Sequence, residues 1–218
     1  MAERSVFVTG TGTEVGKSVV SAVIAATAAS DGLSVAVFKP AVSGLDEGGE
    51  ADHELLARAA GSRQSEDEIA PYRYGPPVSP HLAAAMADEE IDTDLLVGAA
   101  ETAAAGSDAI VCEGVGGLMV PLKPDYLVRN LAAELGYPLV IVAPPGLGTI
   151  NHTLLTIEAA WAAELEVESV VMTPWPEEPA RLEESNRETV EELTGVEVLT
   201  LGTIDLARPA TWPRIELP

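Results

Sequence analysis

A single-domain α/β fold, with a doubly wound, mostly parallel sheet flanked by helices, is what this sequence predicts. Three observations carry the prediction. Short β-branched runs alternate with longer helical patterns, the order expected of a parallel sheet covered by helices. The strand runs are apolar almost without interruption, which suits strands buried on both faces. A length of 218 residues, 47 % of them hydrophobic, supports one substantial core without disulfides or a structural metal.

The elements follow in order. Ser5–Thr9 opens the sheet and leads through a glycine-rich turn into a helix at Lys17–Ser30, whose Ala-rich stretch Val19–Ala29 is the most apolar of the helical patterns. At about a dozen residues that stretch is too short to cross a bilayer. A strand at Ser34–Phe38 precedes the glycine-rich loop Gly44–Gly49 and a helix at Asp52–Ala60. Gly61–Pro80 holds four prolines, several acids and no period, and reads as a long surface excursion of the kind that is often functional. A helix at Asp92–Ala105, a strand at Ala109–Cys112, a helix at Tyr126–Leu135 and a strand at Leu139–Ala143 come next. They are followed by Asn151–Glu164 (helix), Ser169–Met172 (strand), Glu178–Leu193 (helix) and Val196–Leu201 (strand). Gly32, Gly61, Gly106, Gly136 and Gly195 sit just past five helix ends, where a left-handed cap favours glycine. Ala207–Pro218, with three prolines in the last ten residues, reads as an irregular tail.

Composition excludes several function classes. Thirty-five Asp and Glu against 12 Lys and Arg give a formal charge of −23, an anionic surface that repels a phosphate backbone and argues against nucleic acid. The hydrophobic fraction rules out a disordered acidic tail. A single Cys112 excludes an internal disulfide and fits a reducing compartment, and Met1–Arg4 runs directly into a strand with no signal-peptide pattern. A soluble cytoplasmic protein without a membrane partner is the expectation. Acid excess with scarce lysine is also the pattern of salt adaptation and predicts a halophilic source. Only Lys17, Lys39 and Lys123 remain as lysines, which makes their positions informative.

Between the first strand and helix stands Gly10-Thr11-Gly12-Thr13-Glu14-Val15-Gly16-Lys17-Ser18. Strand, glycine-rich turn, Lys-Ser and helix is the context of a phosphate-binding loop. Backbone N–H groups and the helix N-terminus cradle phosphate, Lys17 reaches the terminal phosphates, and the Ser18 hydroxyl ligates magnesium. Five residues rather than four separate Gly10 from Gly16, so the loop is a variant of the usual spacing and the fold is expected to be P-loop NTPase-like. A magnesium nucleotide needs further acids at strand ends facing the loop. Glu113 closes a strand and opens Gly114-Val115-Gly116-Gly117; Asp52 begins a helix and is either a second ligand or a helix N-cap. Gly148-Thr149-Ile150-Asn151 opens a helix after a strand, either as an anion-binding terminus or as a tight turn with Asn151 as N-cap. Three scattered histidines (His53, His81, His152) and one cysteine make a zinc site improbable, and Ser18 lacks the setting of a serine nucleophile.

Taken together, Thr13–Ser18, Phe38-Lys39-Pro40-Ala41-Val42-Ser43-Gly44, Ser79-Pro80-His81, Glu113–Gly117 and Gly148–His152 resemble the dethiobiotin synthetases in both order and gaps. The resemblance spans residues 8 to about 157, with weaker similarity beyond. It implies an ATP- and Mg²⁺-dependent cyclo-ligase of biotin biosynthesis, a homodimer that closes the ureido ring of 7,8-diaminononanoate with CO₂. It implies catalytic roles for Lys39, Lys17, Thr13 and Glu14, nucleotide contacts from Glu14, Val15, Gly16, Lys17, Ser18 and Val19, and others from Glu113, Gly114, Val115 and Gly116. Metal ligands would be Ser18, Asp52 and Glu113; Ser43 would meet the diamine or carbamate, and Gly148, Thr149, Ile150 and Asn151 the substrate carboxylate across the dimer interface. Carbamate, ATP and the transferring phosphoryl group are anions, so a site in so acidic a chain is expected to concentrate positive charge.

The sequence departs from the family where an Asn usually reads the purine. Val171-Met172-Thr173-Pro174-Trp175 stands there, which leaves Thr173 as a hydrogen-bonding group, Trp175 as a stacking surface, and Thr203, Ile204 and Asp205 as further base contacts. Use of GTP or CTP as well as ATP is the consequence to examine. Pro145-Gly146 stands where a polar residue is common. The rival reading is a P-loop switch ATPase of the partitioning or iron-protein type, but the Gly10–Gly12 region lacks the second lysine typical of those proteins. The synthetase half of a corrinoid amidotransferase would need a glutaminase domain for which this chain has no room.

Overall fold

The computed structural model describes residues 4–216; the first residues of the chain and the last two of the expected tail lie outside the described residues. In order the elements are β1 (Arg4–Gly10), α1 (Lys17–Ser30), β2 (Val35–Phe38), β3 (Ala41–Val42), a 3₁₀ turn (Leu45–Glu47), α2 (Asp52–Ala60), α3 (Glu66–Ile69), β4 (Tyr72–Arg73), α4 (Pro80–Met86) and α5 (Thr93–Ala105). They continue as β5 (Ala109–Gly117), β6 (Pro121–Lys123), β7 (Tyr126–Leu127), α6 (Val128–Leu135), β8 (Leu139–Ala143), α7 (Thr149–Trp161), β9 (Val167–Trp175), α8 (Arg181–Thr194), β10 (Glu197–Gly202) and a 3₁₀ turn (Pro209–Thr211).

Six strands form one sheet in the order β10-β9-β8-β1-β5-β2, with every neighbouring pair parallel. β1 lies between β5 and β8, and the chain leaves it through α1 toward β2 on one side while β8 stands on the other. The crevice beyond the carboxyl end of such a strand is where open α/β sheets bind ligands. Side-chain alternation along the strands separates the two layers of core. Val6 and Val8 of β1, Val111 of β5 and Val140 and Val142 of β8 pack under α1 and α2. Phe7, Ile110, Cys112 and Phe38 face the opposite layer with Leu96 of α5 and Leu131 of α6. The outer part of that face holds Ile141, Val170 and Met172 against Ile157 of α7 and Val190 of α8.

Several boundaries differ from the sequence expectation for identifiable reasons. β5 runs five residues beyond Cys112, because Gly117 comes level with Gly10 and continues the ladder with β1. Asp92 is the N-cap of α5 rather than its first residue, its carboxylate accepting from the Asp94 and Leu95 N–H groups. Tyr126 does not begin a helix: Tyr126–Leu127 pairs antiparallel with β6, and α6 starts at Val128 after the Leu127 N–H donates to Asn130 Oδ1 at 2.8 Å. Gly106 is not left-handed (φ −92°), unlike Gly61, Gly136 and Gly195. The stretch 61–80 is no loose excursion, since Ile69 and Ala70 are buried and β4 pairs in parallel with β3. The irregular tail also docks: Trp212 and Ile215 are buried beside α1, and the Arg214 guanidinium lies 2.8 Å from the Asp31 carboxylate.

Candidate active site

The variant phosphate loop occupies the crevice at the end of β1. Its geometry needs glycine at Gly16, which caps α1 at φ 95° and whose missing Cβ would stand 2.7 Å from Thr173 Cγ2. Glu14 also has a positive φ of 58° at the loop tip, an uncommon state for a residue with a side chain. Lys17 is the first residue of α1 and folds back so that its Nζ donates to the Gly12 carbonyl at 2.8 Å. Burial pushes its ammonium below the ordinary lysine value; Glu113 and Asp52 pull the other way and Lys39 adds to the depression.

Sheet register assembles the rest. Phe38 of β2 lies opposite Cys112 of β5, so the residues that follow, Lys39 and Glu113, emerge side by side. Lys39 is steadied by its backbone N–H, which donates to the Ile69 carbonyl at 2.8 Å, so the stretch read as an excursion is part of the site's support. Asp52 starts α2 but does not cap it; Glu54 accepts from the Ala51 N–H at 2.8 Å and leaves the Asp52 carboxylate free to turn inward. Ser18 Oγ then stands 2.7 Å from Asp52 Oδ1 and 2.8 Å from Glu113 Oε1, while Lys39 Nζ is 2.6 Å from both Asp52 Oδ2 and Glu113 Oε1. Burial disfavours the Lys39 ammonium, yet Glu113 and Asp52 more than offset this and hold it above the ordinary lysine value. Burial likewise works against the Asp52 carboxylate, and the Lys39 charge and hydrogen bond, with the Ser18 hydroxyl, keep it below its ordinary value.

This donor set fits a small divalent cation. One hydroxyl and two carboxylates are hard oxygen ligands of the kind magnesium takes. Ser18 has one proton and two carboxylate neighbours, so it can donate to only one of them at a time. Glu113 is fully buried and its Oε2 has no hydrogen-bond partner, a costly arrangement that a cation would relieve.

The cluster forms the floor of a cleft of about 800 Å³. Thr13, Glu14 and Gly16–Val19 form one wall, Ala41, Ser43 and Glu47 another, and Pro77–Pro80 with Val115, Gly116 and Val120 complete it. Four carboxylates and two lysines line this space, so the expected concentration of positive charge is not met by side chains alone. Of these acids, Asp52 and Glu113 are the two whose oxygens converge with Ser18 and could hold a cation there. Glu47 was not anticipated; it sits in the glycine-rich Gly44–Gly49 loop, and its Oε2 folds back to 3.3 Å from where a Cβ on Gly44 would be.

Other expected residues lie elsewhere. Gly114 backs onto Phe7 and Val128 inside the protein. Thr173 is buried with its methyl against Gly16, and Trp175 packs on the outer core. Thr203 is exposed, Ile204 packs against the core under α1, and Asp205 is engaged by Arg208 at 2.6 Å and by the Ala207 N–H at 3.0 Å. Gly148, not Asn151, caps α7, with φ 93°; Thr149 is buried near Thr153, Ile150 packs on the outer core, and Asn151 is exposed. None of Gly148–Asn151 lines the cleft within one chain. His81 is the second residue of the short α4, and His53 turns from the cluster to a separate cavity beside Arg58.

A sequence-family model described as an AAA domain matches residues 4–214. The ATP-dependent dethiobiotin synthetase BioD of Rhodococcus erythropolis is 42 % identical over 196 residues, 89 % of this chain and 86 % of that protein. The enzyme of the same name from Bacillus subtilis is 34 % identical over 197 residues, covering 90 % of this chain and 85 % of its own. Among solved structures, a ParA family ATPase from Chlorobium tepidum superposes with a TM-score of 0.57 at 12 % identity, covering 95 % of this chain and 89 % of that one, which speaks to the fold alone.

Proposed function

Since the chain belongs to the ATP-dependent dethiobiotin synthetases, ligases that close a ring through carbon–nitrogen bonds, we propose that it carboxylates and cyclises 7,8-diaminononanoate with CO₂ and ATP. The observation that carries this reading is the convergence of Ser18, Lys39, Asp52 and Glu113 between the phosphate loop and Ser43. A hydrolytic switch needs no second substrate pocket, and this cleft extends past the loop to Ser43, Glu47 and Pro77–Pro80.

The roles follow from position. Backbone N–H groups of Glu14–Val19 bind the phosphates at the start of α1, and Lys17 steadies the γ-phosphoryl group. A substrate amine captures CO₂ as a carbamate beside Thr13, Glu14 and Ser43. Lys39 holds carbamate and phosphoryl oxygens together during transfer, and the second amine then closes the ring and expels phosphate. Ser18, Asp52 and Glu113 would hold Mg²⁺, which when bound would supply charge neutralisation to the phosphates. Without it, four carboxylates would oppose an anionic nucleotide. The start of α7 binds the substrate carboxylate of a partner subunit in a homodimer, a reading supported by the exposure of Gly148 and Asn151 outside the cleft of their own chain. No helix of the described residues is long and apolar enough to cross a membrane. The cytoplasm is the proposed location on other grounds: a reduced, single Cys112 suits a reducing compartment.

Phosphate release from ATP, followed with and without diaminononanoate plus bicarbonate, tests the reading. Release should depend on both additions and be accompanied by dethiobiotin. Release indifferent to the diamine would sink the synthetase and favour the switch ATPase.

A further inference from the structure

We propose that Lys39 has a second role: its ammonium is a placeholder cation that keeps the Asp52 and Glu113 carboxylates converged and exchanges with the divalent ion for them. This rests on the reading of Ser18, Asp52 and Glu113 as the metal-binding trio.

The geometry points to competition for shared atoms. Lys39 Nζ lies 2.6 Å from Asp52 Oδ2 and 2.6 Å from Glu113 Oε1, and that same Glu113 oxygen is 2.8 Å from Ser18 Oγ. Asp52 presents its other oxygen to Ser18 at 2.7 Å. A divalent ion ligated by the serine and both acids draws on these oxygens, at the roughly 2.0–2.1 Å that magnesium demands. An ammonium within hydrogen-bond reach of the same oxygens would then face a dication at close range, in a site where Lys39 is 3 % and Glu113 0 % exposed and screening is weak. The two cations therefore alternate. With the lysine in place, the buried Glu113 carboxylate and the partly exposed Asp52 carboxylate, which would repel each other, are held at ligating distance. With the ion in place, the ammonium is released toward the cleft that Ser43 lines, where the anionic reactants sit. Arrival of the metal with its nucleotide thus arms Lys39. Lys17 does not duplicate this role, because its Nζ is committed to the Gly12 carbonyl.

Manganese binding to the full, nucleotide-free chain, followed by electron paramagnetic resonance, reads the exchange directly. Lys39→Met removes the competitor and should bind Mn²⁺ about tenfold more tightly or better, an affinity gain that a purely structural lysine would not give. Equal or weaker binding by a folded Lys39→Met overturns the proposal. Where that variant does not fold, the wild-type chain labelled with ¹³C at lysine Cε serves instead, since it has only three lysines. Added Mg²⁺ should move the Lys39 signal and leave Lys123 in place, and an unmoved Lys39 signal at saturating Mg²⁺ overturns the exchange. The underlying metal reading has its own control: Asp52→Asn should weaken Mn²⁺ binding in the presence of ATP. If Asp52→Asn leaves it unchanged, the metal trio and the exchange fall together, whereas equal affinities of wild type and Lys39→Met remove only the exchange.

Discussion

Replacing Gly16 with alanine tests how the phosphate loop is held open. Gly16 has φ 95°, so a side chain there incurs about 1–2 kcal/mol of left-handed backbone strain. The added Cβ would also meet Thr173 Cγ2 at 2.7 Å, and Thr173 is buried and cannot swing aside freely. Overpacking of this kind costs about 1–3 kcal/mol. The sum, about 2–5 kcal/mol, is a large share of the roughly 5–15 kcal/mol that keeps an ordinary domain folded. The two parts separate in a double-mutant cycle. Thr173→Ser deletes Cγ2 and keeps the hydroxyl; alone it should cost about 1 kcal/mol for one buried methyl. In the Gly16→Ala background it should instead restore stability, leaving only the backbone strain and a coupling of about 1–3 kcal/mol. Urea unfolding with unchanged m values measures all four species. Strictly additive effects would refute the claim that Thr173 braces the loop, and an undiminished stability of Gly16→Ala would refute the strain itself. ATP affinity should fall in Gly16→Ala and partly return in the double variant.

Three further outcomes are expected. Lys39→Gln should lower turnover by about two to three orders of magnitude while ATP affinity changes only a few-fold, because the ammonium stabilises charge in the transition state more than in the bound nucleotide; steady-state rates and direct ATP titration check both halves. Turnover with GTP or CTP should lie within about tenfold of that with ATP, since Thr173 packs its methyl on Gly16, Trp175 lies on the outer core and Asp205 is engaged by Arg208; a strong preference for ATP in parallel assays would contradict this. Alkaline pH should unfold the protein. Burial, then the Glu89 carboxylate 2.9 Å away, raises Tyr74, and burial pushes Tyr137 up to about 12. The unfolded phenols ionise near 10.0, so the folded state keeps protons that the unfolded state loses. Their contribution is fully present below pH 10.0 and declines above it; phenolate absorbance and unfolding should rise together.

Much of the fold was legible because local and global signals agree. The ends of α1 and α2 and both ends of β8 coincide with the expectation, since apolar runs there are bounded by plain breaks in pattern. The second half of β5 was not, because three of the four residues Gly114–Gly117 are glycines with no strand propensity, and the segment becomes strand by Gly117 pairing with Gly10. Tyr126–Leu127 carries helical periodicity that a hairpin with Pro121–Lys123 overrides. At the site, motif spacing pointed to Ser18, Asp52 and Glu113; that Asp52 is not the helix cap emerges only from the structure, where Ala51 takes the N-cap position and its N–H donates to Glu54. Glu47 left no pattern to read, because it reaches the cleft through the fold of a glycine-rich loop rather than through a motif.

The acidity of the chain bears on the site in a way that the count of lysines alone did not convey. Scarce lysine suggested that Lys17 and Lys39 survive to attract anions, yet the cleft they occupy holds twice as many carboxylates as ammonium groups. Lysine attraction therefore does not account for nucleotide binding by itself. Lys39 is largely neutralised by Asp52 and Glu113 at 2.6 Å, and Lys17 points its Nζ at a carbonyl. Under the proposed function, the remaining attraction would come from the N–H groups at the start of α1 and from a divalent ion held by the two acids. Removing the ion should then weaken ATP binding far more than removing either lysine. That order follows from the charges, since the ion contributes two positive charges where each ammonium contributes one.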